Sequence, residues 1–167
     1  MPTRLTEHFA LEELLPPGLT AENVPEFERG NLERLCIDIL EPVRVRFGLA
    51  VVIHSGWRPR AINAVTVGSA KESDHMAGRA ADFHVAAGNG KSWELNTTEA
   101  RDFVAVALRG KWGQLILEDH RKHYENPGKF WLHAAIVSEK HRGDGNDLNG
   151  ELFSLAPGQY EPWKGQA

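Results

Sequence analysis

The chain has 167 residues, a length typical of one domain that buries a hydrophobic core without disulfides. Hydrophobic residues make up 41% and charged residues 25%, which is typical of globular proteins and excludes a disordered or collagen-like chain. The net charge of −4 provides no basic excess for binding nucleic acid, and the single cysteine, Cys36, excludes a disulfide framework or a cysteine-based metal site.

The N-terminus and the apolar runs give no sign of export or of membrane insertion. Residues 1–8 lack the apolar core of a signal peptide. The longest apolar run, residues 103–108, is far shorter than the roughly 20 residues that a membrane-spanning helix needs. We therefore expect a soluble protein, cytoplasmic as synthesised, with neither membrane nor nucleic acid as a partner.

Helical patterns dominate the first third of the chain. Residues 6–15 predict a short helix that ends at the Pro-Pro-Gly sequence of residues 16–18. Apolar residues at helical spacing predict a longer helix from about Asn31 to Gly48, with a kink at Pro42. The Leu and Ile residues of this helix are interpreted as core.

Short apolar runs predict the strands. They cover residues 49–53, 80–85, 114–118 and 130–136. Residues 58–79 predict a long loop with one helical turn, and a capping box at Asn96 predicts a helix that reaches about Arg109. The last two strands predict a hairpin, because a polar connection with Pro127-Gly128 joins them. We expect an α+β fold with a largely antiparallel sheet, helices packed on one side, and an irregular tail over residues 141–167.

Candidate metal ligands lie in two places. His75 lies in a glycine-bearing loop, and Asp82 follows inside an apolar strand, where a carboxylate is costly to bury without a positive partner. His133 interrupts the apolar strand of residues 130–136. Two histidines and one carboxylate are the ligand set of a catalytic zinc that keeps one position for water. His84 shares a strand face with Asp82 and is the main rival ligand.

Each of these residues also has a simpler interpretation. A lone histidine in a strand is more often a hydrogen-bonded core residue, which applies to His133. Asp82 alone could cap a turn or pair with Arg79. Three further histidines are expected to be solvated loop residues: His120, His123 and His141.

The candidate ligands belong to a longer ordered set of motifs: Ser55-Gly56-Trp57-Arg58-Pro59, Asn63, Gly68, Ser73-Asp74-His75, Gly78, Ala80, Asp82 and Trp131-Leu132-His133. This ordered set resembles the zinc D-Ala-D-Ala carboxypeptidase family, which shares the fold of the Hedgehog signalling domain. The resemblance covers most of residues 8–138; any single motif is a weak signal, but the ordered set is a strong one. It implies one peptidase domain over residues 1–167 with a catalytic core of about 8–138.

The resemblance also implies roles for individual residues. It implies that His75, Asp82 and His133 are the zinc ligands. It also implies that His84 lies beside the site and does not bind the metal. Arg58 is similar to the family arginine that orients substrate or polarises its carbonyl, a task that suits a permanently charged guanidinium. Ser73 matches a serine that contacts substrate beside the first ligand.

At the position where several relatives have their general base, this sequence differs from the family pattern. Several relatives place an acid or a histidine three positions before the last ligand, where this chain has Phe130. Glu118, at the end of the preceding strand, is the best replacement, because antiparallel pairing can bring it near the metal. Asp119 and His120 are the fallback candidates, and a simple salt bridge is the alternative for Glu118.

The resemblance therefore implies a zinc-dependent peptidase, expected to be monomeric, that acts on peptidoglycan peptides as a carboxypeptidase or an endopeptidase. The lack of a signal sequence and of a wall-binding domain favours a bacteriophage endolysin or virion-associated lytic enzyme, released to the cell wall. Two alternatives remain open: a zinc-binding module that has lost catalysis, and a phage structural protein that keeps the fold.

Overall fold

The computed structural model describes residues 2–121, 129–139, 151–156 and 159–162, and within these ranges it has four α-helices and six strands. The helices are α1 Glu26–Leu35, α2 Glu41–Phe47, α3 Arg60–Val65 and α4 Trp93–Ala107. The strands are β1 Val51–Ser55, β2 Ala80–Val85, β3 Trp112–Asp119, β4 Phe130–Ile136, β5 Glu151–Ala156 and β6 Gln159–Pro162. Short 3₁₀ turns cover Leu11–Leu14, Ala21–Asn23 and Asp74–Ala77.

All six strands form one sheet in the order β1-β2-β4-β3-β5-β6. Every neighbouring pair is antiparallel except β3 with β5, which run parallel. The α+β class is confirmed, and so is the antiparallel pairing of β3 with β4. The connection between those two strands, with His123 and Pro127-Gly128, lies outside the described residues.

The two faces of the sheet have different environments. Strand alternation sends Ala81, Phe83, Leu132 and Ala134 to one face, where all four are fully buried. These side chains join the apolar residues of α1, α4 and the segment between α1 and α2 in one core. The residues that alternate with these four along the strands point to the opposite face. That face carries Asp82 of β2 and its partner on β4, His133.

The long helix begins earlier and is less regular than predicted. It starts at Glu26 rather than about Asn31, and a π-helical segment, Cys36–Leu40, joins α1 to α2 directly before Pro42. Pro42 lacks a backbone N–H and cannot continue the regular hydrogen bonding, which is the physical reason for a local irregularity at this point. The helix ends at Gly48, as predicted, with a left-handed φ of 62°.

Three further predictions need correction. The helix expected over residues 6–15 is only the 3₁₀ turn Leu11–Leu14. The loop of residues 58–79, expected to have one helical turn, contains both α3 and the 3₁₀ turn Asp74–Ala77. Helix α4 starts before Asn96, because the Ser92 hydroxyl accepts a hydrogen bond from the Leu95 N–H at 3.4 Å. Asn96 instead lies inside the helix and donates to the Ala86 carbonyl.

The prediction of an irregular tail over residues 141–167 is wrong for its described part. Strand β5 pairs with the free edge of β3, from Leu115 opposite Glu151 to Glu118 opposite Ser154, and β6 extends the sheet further. An open edge of unpaired N–H and C=O groups is covered in this way. His141 lies outside the described residues. No helix in the described ranges is long and apolar enough to cross a membrane.

Candidate metal centre

The segment after β1 holds His75 in a fixed orientation. The His75 Nδ1–H donates to the Gly56 carbonyl at 2.6 Å, so its Nε2 carries the lone pair. The backbone N–H of Arg58 donates to the His75 carbonyl at 3.1 Å, and the indole Nε1 of Trp57 donates to the Met76 carbonyl at 3.1 Å. The Ser-Gly-Trp-Arg motif thus supports the turn that carries the first predicted ligand.

Two glycines of the motifs that resemble the family lie where another segment of the backbone passes too close for a side chain. A Cβ atom at Gly56 would lie 2.5 Å from the Leu14 carbonyl oxygen, and one at Gly78 would lie 2.6 Å from the Glu28 carbonyl oxygen. Gly78 also has a φ of +68°, which L side chains rarely adopt. Because Gly56 and Gly78 have no side chain, the turn that carries His75 can pack against α1 and the N-terminal segment.

The other two predicted ligands are direct neighbours on paired strands. Asp82 of β2 lies opposite His133 of β4, so both side chains project from the face of the sheet opposite to the helical core, which is called the open face below. His75 reaches the same point from its 3₁₀ turn. The structure therefore brings together all three residues that the sequence singled out, and His84 is not among them.

The separations between the three candidate ligand atoms suit a small divalent cation. His75 Nε2 lies 3.3 Å from His133 Nδ1 and 3.3 Å from Asp82 Oδ1, and His133 Nδ1 lies 2.8 Å from Asp82 Oδ1. Tetrahedral zinc with ligands at about 2.0–2.2 Å would place them roughly 3.3–3.6 Å apart. Two of the three separations already match, and the third would have to open by about half an ångström.

Charge and burial at the cluster also favour a cation. Burial alone would raise the pKa of Asp82, but the imidazoles of His75 and His133 outweigh that effect and hold this pKa well below its usual range. His75 is 1% exposed and His133 is 9% exposed. The residues present therefore fit a zinc site: two imidazoles and an ionised carboxylate, all largely buried, converge on one point.

A second cluster of potential ligands has a simpler role. Glu7, His8 and Glu41 also come close together, but they lie at a more exposed position. His8 Nδ1 lies 2.6 Å from a Glu41 carboxylate oxygen, and the Thr6 hydroxyl donates to the other oxygen at 2.9 Å. These bonds attach the N-terminal segment to the start of α2.

Glu118 lies on the same face as the three candidate ligands. It pairs with Trp131, two residues before His133, so Glu118 and His133 are diagonal neighbours, a separation of roughly 7–8 Å between residues of paired strands. Glu118 is 7% exposed. Burial raises the pKa of Glu118 to about 7; His133 opposes this rise and Asp82 adds to it, so the carboxyl group lies within the electrostatic reach of the cluster.

The neighbours of Glu118 correct one prediction. His120, expected to be a solvated loop residue, is 2% exposed, and its Nε2 lies 3.0 Å from a Glu118 carboxylate oxygen. The same nitrogen lies 3.1 Å from the Ser154 hydroxyl of β5. His120 is buried because β5 and Trp131 cover it, and the sequence alone did not predict that β5 exists. Asp119 points elsewhere and binds Arg121 through two bonds of 2.7 Å.

The rival ligand His84 has its own partners. Its Nδ1 lies 2.7 Å from His54 Nε2, and its ring lies 5.2 Å from the ring of Trp93. His54 lies where the pairing of β1 with β2 is irregular, directly before Ser55, which is the partner of Asp82. His84 is thus a neighbour of the cluster, the place that the resemblance implied for it.

The two predicted substrate residues also border the cluster. Arg58 is half-buried, and its Nε atom has no hydrogen-bond partner within the described ranges. Burial lowers the pKa of Arg58, while the nearby Asp82 and Tyr160 raise it. The Ser73 hydroxyl accepts a hydrogen bond from the His75 N–H at 3.4 Å, so it caps the turn. Their roles toward substrate stay predictions.

Sequence reasoning missed the part of the site that the tail contributes. Ser154 and Tyr160 reach the open face from β5 and β6, and neither was a candidate. A signal was present: residues 151–156 form a mostly apolar run that a Pro-Gly dipeptide follows directly, which is typical of a strand and a turn.

Comparison with known families gives one match. Residues 8–112 match the family model described as Peptidase M15. This range is more than half of the chain and contains His75 and Asp82, and it ends before Glu118 and His133. No curated protein sequence matches the chain.

Proposed function

We infer that this chain, which belongs to the Peptidase M15 family of zinc-dependent metallopeptidases, hydrolyses peptide bonds in bacterial peptidoglycan. The observation that carries the proposal is the convergence of His75 Nε2, His133 Nδ1 and Asp82 Oδ1 within 3.3 Å of one another on the open face of the sheet. We assign these three atoms as the zinc ligands.

The chemistry that zinc supplies when bound is acidification of a water molecule and polarisation of a carbonyl group. Glu118 is the proposed general base. Its carboxylate takes a proton from the attacking water and delivers that proton to the departing amine. A pKa raised to about 7 suits both steps, because such a group accepts and releases a proton near neutral pH.

His120 and Ser154 orient Glu118 in this proposal. His120 Nε2 lies 3.0 Å from one carboxylate oxygen of Glu118, and the Ser154 hydroxyl also bonds to this carboxyl group. The absence of an acid at Phe130 is therefore compatible with catalysis, because β3 supplies a buried carboxylate on the same face. Arg58 would bind the substrate peptide, whose carboxylates a guanidinium can hold through two hydrogen bonds.

The finer proposal is a compact, monomeric lytic enzyme, such as a bacteriophage endolysin, that is released to the cell wall. Its scissile bond would be a terminal D-Ala bond or a stem or cross-link bond.

The test compares Glu118→Ala with Asp119→Asn on purified sacculi. Mass spectrometry of the released muropeptides identifies the bond, and amine release measures the rate. We expect Glu118→Ala to lose at least about 100-fold in kcat, while Asp119→Asn keeps wild-type activity because its side chain binds Arg121 instead.

Two outcomes would overturn the proposal. If zinc-loaded wild-type protein releases no amines from sacculi, the chain is a zinc-binding or structural module of this fold. If Glu118→Ala is as active as wild type, another residue is the base.

A further inference from the structure

Three aromatic rings form a continuous row beside the metal cluster on the open face. His84 of β2 lies two residues after Asp82, so both side chains project from this face, roughly 7 Å apart along the strand. The ring of His84 lies 4.9 Å from the ring of His54 in β1 and 5.2 Å from the ring of Trp93, the first residue of α4. His54, His84 and Trp93 are called the ring row below.

Trp93 is held in the ring row by Phe130, the residue at the position where several relatives have their base. The two rings meet edge to face with their centroids 5.5 Å apart, and Phe130 is itself buried. The guanidinium group of Arg121 lies 4.8 Å from the centroid of the Phe130 ring. Trp93 is only half-buried, so part of its ring stays accessible while Phe130 supports the rest.

The two histidines of the row share a hydrogen bond that uses one nitrogen of each ring. His54 Nε2 lies 2.7 Å from His84 Nδ1. Among the residues that the structure describes, neither imidazole makes a second hydrogen bond, and His54 is exposed. Burial is the main cause that lowers the pKa of both imidazoles, so it favours their neutral forms.

Two neutral imidazoles in this arrangement present one donor and one acceptor to solvent. Each neutral ring has one N–H and one lone pair, and the shared hydrogen bond uses one of each. The outer atoms, His54 Nδ1 and His84 Nε2, therefore keep one N–H and one lone pair, whichever ring donates. A peptide amide offers the complementary C=O and N–H, whereas a carboxylate only accepts hydrogen bonds. The pair therefore suits an uncharged amide group better than a carboxylate.

We propose that the ring row is a substrate subsite that binds one main-chain amide of the peptide about two residues from the scissile bond. His54 Nδ1 and His84 Nε2 bind the amide, and the accessible part of Trp93 packs against a small apolar side chain next to it. The spacing follows from the strand, because an extended peptide spans about 3.3–3.6 Å per residue and His84 lies roughly 7 Å beyond Asp82. This inference rests on the proposed peptidase function and names the part of the substrate that this face holds.

The test uses His54→Ala and the double variant His54→Ala/His84→Ala. The Kd of the metal-free protein for a soluble stem peptide should rise about two- to tenfold in the single variant, the effect of one lost hydrogen bond, and further in the double variant. In the zinc-loaded protein, KM should rise by a similar factor while kcat changes by less than about twofold, because this contact is the same before and during the reaction. Zinc content and the unfolding midpoint should stay at wild-type values.

Two controls accompany these variants. Leu95→Ala changes an exposed residue of α4 that is no part of the ring row, and it should keep the wild-type Kd and KM. The same stem peptide carrying its disaccharide separates a peptide subsite from a sugar subsite. Both ligands should lose affinity by the same factor, because the amide is present in each.

The outcomes separate this inference from the function on which it rests. A Kd of the double variant within about twofold of wild type overturns the subsite, and so does an effect seen only with the disaccharide-bearing peptide. Weaker binding that comes with loss of zinc or a lower unfolding midpoint also overturns it, because the rings would then be structural. A wild type whose binding depends on these rings but that releases no amines from sacculi overturns the peptidase function alone. A wild type that neither binds nor cleaves overturns both.

Discussion

Glu118 keeps a carboxyl group at the end of β3 where burial favours its protonated form. The groups around it are polar but few: His120 and Ser154 contact it directly, and the metal cluster acts through space. A residue that served only the fold would be replaced here by an apolar side chain at a gain in stability. A costly carboxylate beside a cluster of candidate metal ligands is instead typical of a residue kept for catalysis.

The stability of the metal-free protein should reveal this cost through its pH dependence. Below about pH 4.5 Glu118 is protonated in both the folded and the unfolded state, so it costs nothing. As pH rises through about 7, the folded protein must hold an unfavourable carboxylate, and up to about 3 kcal/mol of stability is lost. Glu118→Gln cannot ionise, so it should unfold at a free energy about 1–3 kcal/mol higher than wild type at pH 8 and equal to it at pH 4.5.

Urea unfolding of the two proteins at pH 4.5 and pH 8 measures this difference. Glu99→Gln, a substitution at an exposed position of α4, is the control and should show no such gain. A Glu118→Gln variant that is less stable than wild type at pH 8 would contradict the account, because the carboxylate would then stabilise the fold.

The element that positions the first ligand is a turn, and its geometry depends on contacts far away in sequence. The strands β2 and β4 could be predicted to the residue, because a short apolar run is a local signal. The cradle of His75, meaning the backbone contacts that hold its turn, could not be predicted. These contacts require the Leu14 carbonyl to pack against Gly56 and the Glu28 carbonyl to pack against Gly78. Local sequence patterns carry no information on contacts between distant backbone segments. The motif therefore predicted His75 as a ligand but not the contacts that hold it in place.

Gly56→Ala tests whether this cradle positions His75. Its Cβ would collide with the Leu14 backbone at 2.5 Å, so the turn must shift, at an expected cost of about 1–3 kcal/mol in unfolding free energy. Zinc affinity should fall as well, because the Gly56 carbonyl orients the His75 ring. Thermal unfolding and zinc titration measure both effects.

Gly30→Ala is the matched control. A Cβ at Gly30 meets nothing within 4 Å, and the residue lies inside α1, so alanine should stabilise the helix by up to about 1 kcal/mol and leave zinc binding unchanged. If Gly56→Ala behaves like this control in both measurements, the proposed support of His75 is wrong.

At the scale of the whole molecule, the sheet assembles the site from distant segments. The sequence indicated the α+β class, the three clustered residues and the position of Glu118, because each of these depends on a local pattern or on the order of motifs. It did not indicate that the tail returns to pair in parallel with β3, since a parallel partner is set by long-range packing. Ser154 and Tyr160 were missed, and the burial of His120 was not foreseen, for this one reason. The extent of the domain over residues 1–167 stays a prediction.

The most direct test of the central claim is the zinc content of His133→Ala and His84→Ala, measured beside wild type after purification without chelator. Both histidines lie on the open face, but only His133 lies with His75 and Asp82, while His84 binds His54. The account predicts a single zinc per chain in wild type and in His84→Ala, and loss of zinc from folded His133→Ala. Zinc that persists in His133→Ala, or that is lost from His84→Ala, would contradict it.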